Sequence, residues 1–310
     1  MMLNSRDMLP FLEHLSKKRE VYAPYGIRFS PFSGKPPDLN KKTRFSAKKL
    51  FLPPEETLFT FKGEKSTARI DAPRRVLFGA RPCDLNAIKY MDMVFKDDPY
   101  YMKKRRNMLL IGLQCSRPEQ FKNCYCHYTG TFFADNYDIL LIEASGGFAA
   151  KAGTPAGRRL MKTVFFSKGG NPDSLLDALE RKLDKKTKGK LKSANEIKDN
   201  VIRELARDCF SCTACTSVCP TCHSFTIEDE LETDLESGKR VRKWDSCQLK
   251  RYTRVAGDVI FRPSRFQRVR QRIYCKFRYS LEDQKMMACT GCGRCIDVCN
   301  KGIDIFRVFG

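Results

Sequence analysis

Cys209-Phe210-Ser211-Cys212-Thr213-Ala214-Cys215-Thr216-Ser217-Val218-Cys219-Pro220 and Cys289-Thr290-Gly291-Cys292-Gly293-Arg294-Cys295-Ile296-Asp297-Val298-Cys299-Asn300 follow one pattern. Each places three thiols at i, i+3 and i+6 and a fourth four residues later, the bacterial ferredoxin spacing for [4Fe–4S] clusters. A cubane cluster needs four thiolates arranged tetrahedrally around a bulky inorganic core. Three cysteines two residues apart wrap a loop around three corners, and the fourth starts the next segment. In two-cluster ferredoxins that fourth thiol ligates the other cluster. On this logic Cys209, Cys212, Cys215 and Cys299 hold one cluster, and Cys289, Cys292, Cys295 and Cys219 hold the other. Iron is therefore the expected metal, and one-electron transfer the expected chemistry.

Structural zinc is the competing reading. Zinc sites usually pair two separated Cys-x-x-Cys knuckles, which need no third cysteine at the next step. Disulfides are disfavoured as well. Met1-Met2-Leu3-Asn4-Ser5-Arg6-Asp7 has no basic-then-apolar secretory pattern. The 15 cysteines thus point to metal or redox work in a reducing cytosol. No apolar run approaches the roughly 18 residues that span a bilayer. A cytoplasmic protein without a membrane segment is expected.

The 310 residues allow about two domains, and a dicluster unit fills only part of them. Ser5 to Lys18 reads as an amphipathic helix, and residues 26–56 as an irregular surface loop. Short apolar runs at 75–80, 108–112 and 137–143 read as buried strands, with a further strand candidate at 163–167. A turn at Arg81-Pro82-Cys83-Asp84 precedes a helical pattern at 85–95, and further helices are expected at 171–183 and 195–207. The fold expected is an α/β N-terminal domain (1–190) followed by an α-helix-rich, ferredoxin-like dicluster domain (191–310). Between them, residues 184–194 form a basic linker candidate. The insertion between the two cysteine motifs, Pro220 to Ala288, is expected to be helix-rich. Its basic second half, 262–277, reads as a helix capped by Ser264, and the insertion as a whole is expected to cover the clusters, to form a docking face or to be a plain packing element.

Cys83, Cys115, Cys124 and Cys126 are candidate ligands of a third iron–sulfur cluster, with Asp84 an alternative oxygen ligand. Cys83 and Cys115 each follow a predicted strand, and sites in open α/β sheets form at the carboxyl ends of strands. The bland alternative is that free cysteine is a common small buried hydrophobe. His127 reads as a loop residue, and Cys222, Cys247 and Cys275 as structural.

The formal net charge is +22, from 58 Lys and Arg against 36 Asp and Glu. Such a surface suits nucleic acid or an acidic protein partner. No nucleic-acid motif accompanies it, so an acidic redox partner such as a ferredoxin is the expected reading. No phosphate-cradling glycine loop, nucleophile elbow or zinc-peptidase motif occurs. Clusters move single electrons, so flavin or nicotinamide chemistry is expected on another subunit.

Arg81-Pro82-Cys83-Asp84, Asp98-Pro99-Tyr100-Tyr101 and Cys124-Tyr125-Cys126 precede the dicluster module. The module itself contains Cys219-Pro220-Thr221-Cys222, Trp244-Asp245-Ser246-Cys247, Arg254-Val255-Ala256-Gly257 and Phe261-Arg262-Pro263. Over nearly the whole chain this combination resembles the iron–sulfur subunit shared by cytosolic sulfhydrogenases, where it is the beta subunit, and anaerobic sulfite reductases. The resemblance implies a relay between a flavin- and NAD(P)-binding reductase subunit and a catalytic module: hydrogenase, sulfite reductase or heterodisulfide reductase-like. It also implies that the N-terminal thiols ligate an extra cluster. Asn300 departs from the proline common after the fourth cysteine. The sequence ends soon after Ile305-Phe306, so no appended catalytic domain is expected. The rival expectations are a self-sufficient sulfur-compound reductase and a nucleic-acid-binding protein with structural clusters.

Overall fold

The computed structural model describes residues 1–116, 123–186 and 197–309. Its strands are β1 (Met2–Asn4), β2 (Glu20–Tyr25), β3 (Arg28–Pro31), β4 (Glu55–Lys62), β5 (Lys65–Ala68), β6 (Arg75–Ala80), β7 (Met108–Leu113), β8 (Ile139–Ala144), β9 (Gly147–Ala152), β10 (Phe166–Ser167), β11 (Phe225–Leu231) and β12 (Ser237–Trp244). Eight of them form one sheet in the order β10-β1-β9-β8-β7-β6-β2-β3, and the neighbours β2, β6, β7 and β8 run parallel.

The apolar runs read from the sequence become these central strands because they are buried on both faces. Alternate side chains along a strand serve opposite faces. Leu77, Leu110 and Leu140 meet Leu85, Ile88 and Met91 of helix Pro82–Val94. Val76, Phe78, Ile111 and Leu141 meet Phe11, Leu12 and Leu15 of helix Ser5–Ser16.

Two expectations shift here. Helix Pro82–Val94 starts where a turn was expected, with Arg81 as its N-cap. Proline suits the first helical position, where its missing N–H costs nothing. Cys83 and Asp84 therefore sit in the first helical turn. The segment 26–56 is not a plain surface loop. It contains β3 and a 3₁₀ turn at Ala47–Leu50, and buries Leu50, Phe51 and Leu52. That apolar triplet anchors an otherwise Pro- and Lys-rich stretch.

The inter-motif insertion is also only half helical. Its second half holds helix Arg265–Tyr274, which opens with a capping box of Ser264 and Gln267. Its first half is the hairpin β11–β12, which completes an antiparallel sheet in the order β11-β12-β4-β5. That sheet takes strands from both sides of residue 190. Trp244 Nε1 donates to Leu52 O at 3.0 Å. Arg242, 2 % exposed, pairs with Glu56 at 2.5 Å and also with Asp98.

Helices Pro172–Lys186 and Asp199–Asp208 match their expected positions, while the strand expected at 163–167 shortens to β10. The linker expected at 184–194 falls largely on residues 187–196, outside the described residues. No described helix is long and apolar enough to cross a membrane.

Candidate iron–sulfur centres

The two cysteine motifs fold as a structural repeat. Ser211 and Thr213 have φ of 55° and 67°, and the matching Gly291 and Gly293 have 60° and 70°. Both loops thus turn through the left-handed region at the same two positions, then enter short helices at Ala214–Ser217 and Arg294–Asp297. The first loop tolerates side chains there, at a cost of about 1–2 kcal/mol per residue. The second loop cannot. A Cβ on Gly291 would lie 2.4 Å from the Tyr125 carbonyl carbon, and one on Gly293 would lie 1.9 Å from Asn123 O. The second motif is pressed against the Asn123–Cys126 loop, and Tyr125 N donates to Gly291 O at 2.6 Å.

Three groups of thiols result. Cys209, Cys212, Cys215 and Cys299 line one cavity, which Cys295 also reaches. Cys212 is its exposed member. Burial pushes the Cys215 thiol up to about 12, the Arg272 guanidinium opposing it.

Around Cys289 the second group gathers. Burial pushes that thiol up strongly, and the thiols of Cys295, Cys292 and Cys219 beside it add to the effect. Cys219 behaves differently. Burial alone would raise it, but Lys276, Arg272 and hydrogen bonds from Thr221 outweigh burial and bring it down to about 6.

The third group lies beyond the carboxyl ends of β6 and β7. Cys83, Cys115, Cys124 and Cys126 line one small cavity together with Cys292, Lys42 and Arg81. Burial raises Cys124 to about 11 against the pull of Lys42. Asp84 is not among the residues lining this cavity. Its Oδ2 pairs with Arg294 Nη2 at 2.8 Å, and both side chains are almost wholly buried. His127 is absent from the cavity lining, and burial alone lowers its pKa. Among the described residues no three His, Cys, Asp or Glu side chains converge as ligands of a single ion would.

The cations test whether these sites suit an anionic cluster. Lys48, Arg268, Arg272 and Lys276 are only 3–7 % exposed, and among the described residues none has a carboxylate partner. Lys48 Nζ donates to Cys222 O at 3.2 Å and sits 3.7 Å above the Trp244 ring. Arg272 Nη2 donates to Cys215 O at 3.1 Å, and Lys276 Nζ to Thr221 O at 3.0 Å. An unpaired buried charge costs several kcal/mol. The neighbours on offer are cysteine sulfurs: burial opposes the charge on Arg272 and Lys276, and Cys215 and Cys219 beside them favour it. A cluster bound by four thiolates is negatively charged, so the residues fit one.

Sequence reasoning missed these cations. The signal was present: Arg268, Arg272 and Lys276 recur every fourth residue, on the buried stripe with Val269 and Ile273. Cys275 opens a π-helical turn, Cys275–Tyr279, that follows this helix. Cys222 is buried among the same cations, and Cys247 accepts from Gln248 Nε2 at 3.5 Å.

The 4Fe-4S dicluster domain family matches residues 208–303. Among curated proteins, sulfhydrogenase 2 subunit beta of Pyrococcus furiosus is 31 % identical over 288 residues, covering 86 % of this chain and 82 % of that protein. No solved structure matches significantly. With this likeness running through nearly all of the chain, it belongs to the family of iron–sulfur electron-transfer subunits that sulfhydrogenases and anaerobic sulfite reductases share.

Proposed function

We propose that this chain holds three [4Fe–4S] clusters in series and relays single electrons within a multisubunit oxidoreductase. Cys209, Cys212, Cys215 and Cys299 would hold the first cluster. Cys289, Cys292, Cys295 and Cys219 would hold the second. Cys83, Cys115, Cys124 and Cys126 would hold the third. When bound, such clusters supply one-electron chemistry at potentials set by charge, hydrogen bonds and exposure. The partners in this reading are a flavin- and NAD(P)-binding reductase subunit and a catalytic or heterodisulfide reductase-like module. The name of the Pyrococcus relative, a beta subunit, supports the existence of such partners.

One observation carries the proposal. Cys295 lines the first cavity and Cys292 lines the third, so the second motif touches both of the other sites. This supports an unbroken path from the N-terminal thiols to the exposed Cys212. The chain's own side chains set the terms of transfer. Arg272 and Lys276 offset negative charge in a buried setting and so favour the reduced state. The Thr221 hydroxyl, 3.4 Å from Cys219 Sγ and donating to Ala288 O at 2.7 Å, fixes the turn after the first motif. Tyr125 ties the third site to the C-terminal segment through Asp304 at 2.7 Å, its ring stacked 4.2 Å from Phe306.

The test is turnover by the purified chain. Reduced anaerobically, it should pass electrons to one-electron acceptors, yet leave sulfite, polysulfide and protons untouched with an artificial donor. Substrate turnover by the isolated chain would replace the relay with a self-sufficient reductase.

A further inference from the structure

The segment between the hairpin and the basic helix has a use that packing does not explain. Val255, Val259 and Phe261 are 46, 53 and 67 % exposed, close together in sequence. Gly257 and Asp258 adopt φ of 74° and 60°, so the chain folds back and Val255 N donates to Val259 O at 3.0 Å. The apolar side chains are thus presented from a tight, pinned turn. Of the ten Lys and Arg between Ser246 and Leu281, Arg268, Arg272 and Lys276 are buried; Lys250, Arg251, Arg254 and Arg265 are exposed and Arg262, Arg270 and Arg278 partly so, against a single acid, Asp258.

This turn abuts the first cysteine motif. The buried Arg268 guanidinium donates to Arg262 O at 3.1 Å and to Pro263 O at 2.7 Å, and its other nitrogen reaches Ser211 Oγ at 3.5 Å. One side chain therefore clamps the base of the exposed turn to the residue beside Cys212. On the same loop Phe210 is 63 % exposed, with Lys301 Nζ 5.3 Å from its ring centre. Exposed aromatic and aliphatic side chains, a cationic surround and the exposed Cys212 lie on neighbouring segments.

From this juxtaposition we infer that the Val255–Phe261 turn and Phe210 form the docking surface for an acidic protein carrying its own redox centre, which exchanges electrons at the first cluster site. Charge complementarity names the occupant: a cationic rim around an apolar centre selects an acidic face and steers its approach. An apolar centre within a polar rim is the usual anatomy of an interface. The inference rests on the relay reading above and specifies where one of its partners binds.

The experiment uses the full, cluster-loaded chain. A purified acidic two-cluster ferredoxin, reduced in advance, is mixed with it by stopped flow across a range of ionic strengths. Methyl viologen radical, a small cation that needs no docking surface, serves as the second reductant. For the native chain the rate constant with ferredoxin should fall at least about tenfold between low and physiological-to-high salt. Arg254→Glu combined with Phe261→Ser should lower it by about tenfold or more at low salt. Iron content and the viologen rate should stay unchanged. Equal ferredoxin rates for native chain and variant would overturn the docking surface while leaving the relay intact. A parallel loss with viologen would also overturn it, since the substitutions would then act on the clusters. A native chain that binds no iron would remove the relay reading itself.

Discussion

Arg272→Gln tests how the fold sets the potential of its redox centres. Arg272 is 5 % exposed and donates from Nη2 to Cys215 O at 3.1 Å. Glutamine keeps a donor for that carbonyl and removes the charge. Taking a charge separation of about 6–7 Å and an effective dielectric of about 20, the lost attraction is about 2.5 kcal/mol per unit charge. For a one-electron couple, where about 1.4 kcal/mol corresponds to 59 mV, that is roughly 100 mV. The sign is fixed, because a cation stabilises the more negative, reduced state. The variant should therefore titrate at lower potential, most strongly at the site of Cys215. The assay is an anaerobic redox titration followed by electron paramagnetic resonance, with iron measured on the same samples. A shift smaller than about 30 mV, or any upward shift, at unchanged iron content would refute the Coulomb estimate and the role given to the buried cations.

Other substitutions probe the scaffold. Arg294→Met leaves Asp84 buried without its cation, whose Oδ1 already has no hydrogen-bond partner, and should cost about 3–5 kcal/mol in urea unfolding of the metal-free chain. Recovery of much of that loss in the Asp84→Asn, Arg294→Met double variant would confirm that the unpaired charge, not the lost volume, is responsible. Gly293→Ala drives a Cβ to 1.9 Å from Asn123 O, so the second motif should part from the Asn123–Cys126 loop and the melting temperature and bound iron should both drop. Ser211→Ala, at a position equivalent to the glycine at 291 but free of that backbone, removes only the 3.5 Å contact with Arg268, which keeps its bonds to the Gln248, Arg262 and Pro263 carbonyls, and should cost about 1 kcal/mol or less. Cys115→Ser should lower iron from about twelve to about eight per chain, as loss of one four-iron cluster requires; an unchanged count would remove Cys115 from the ligands.

What could be read from the sequence was local or topological. Three thiols within seven residues announce their chemistry because the spacing itself is the geometry. The meeting of Cys83 with Cys115 followed from two adjacent apolar strands and the rule that their carboxyl ends share an edge. The hairpin β11–β12 was not legible because Asp229 interrupts the alternation of Phe225, Ile227 and Leu231, and β12 carries only Val241 and Trp244 as large apolar residues. Its register is held by charge instead. Asp229 faces Arg240 across the strands, with both carboxylate oxygens accepting at 2.7 Å, and Lys243 reaches Glu228 and Glu230. Two residues on from Arg240 along the same face, Arg242 is buried, and its partners Glu56 and Asp98 are distant in sequence. Such pairings are invisible to periodicity. The same holds for Lys48: a lysine in a Lys- and Pro-rich stretch reads as solvated surface until the fold places it over Trp244.

The most direct test of a continuous one-electron path is the spectrum of the fully reduced chain. After anaerobic purification about twelve irons and matching sulfide per chain are expected, from three clusters of four. Low-temperature paramagnetic resonance should be broadened by spin–spin coupling, because the second motif touches both other sites. Stoichiometric zinc without iron, or three sharp signals from non-interacting centres, would contradict a continuous path.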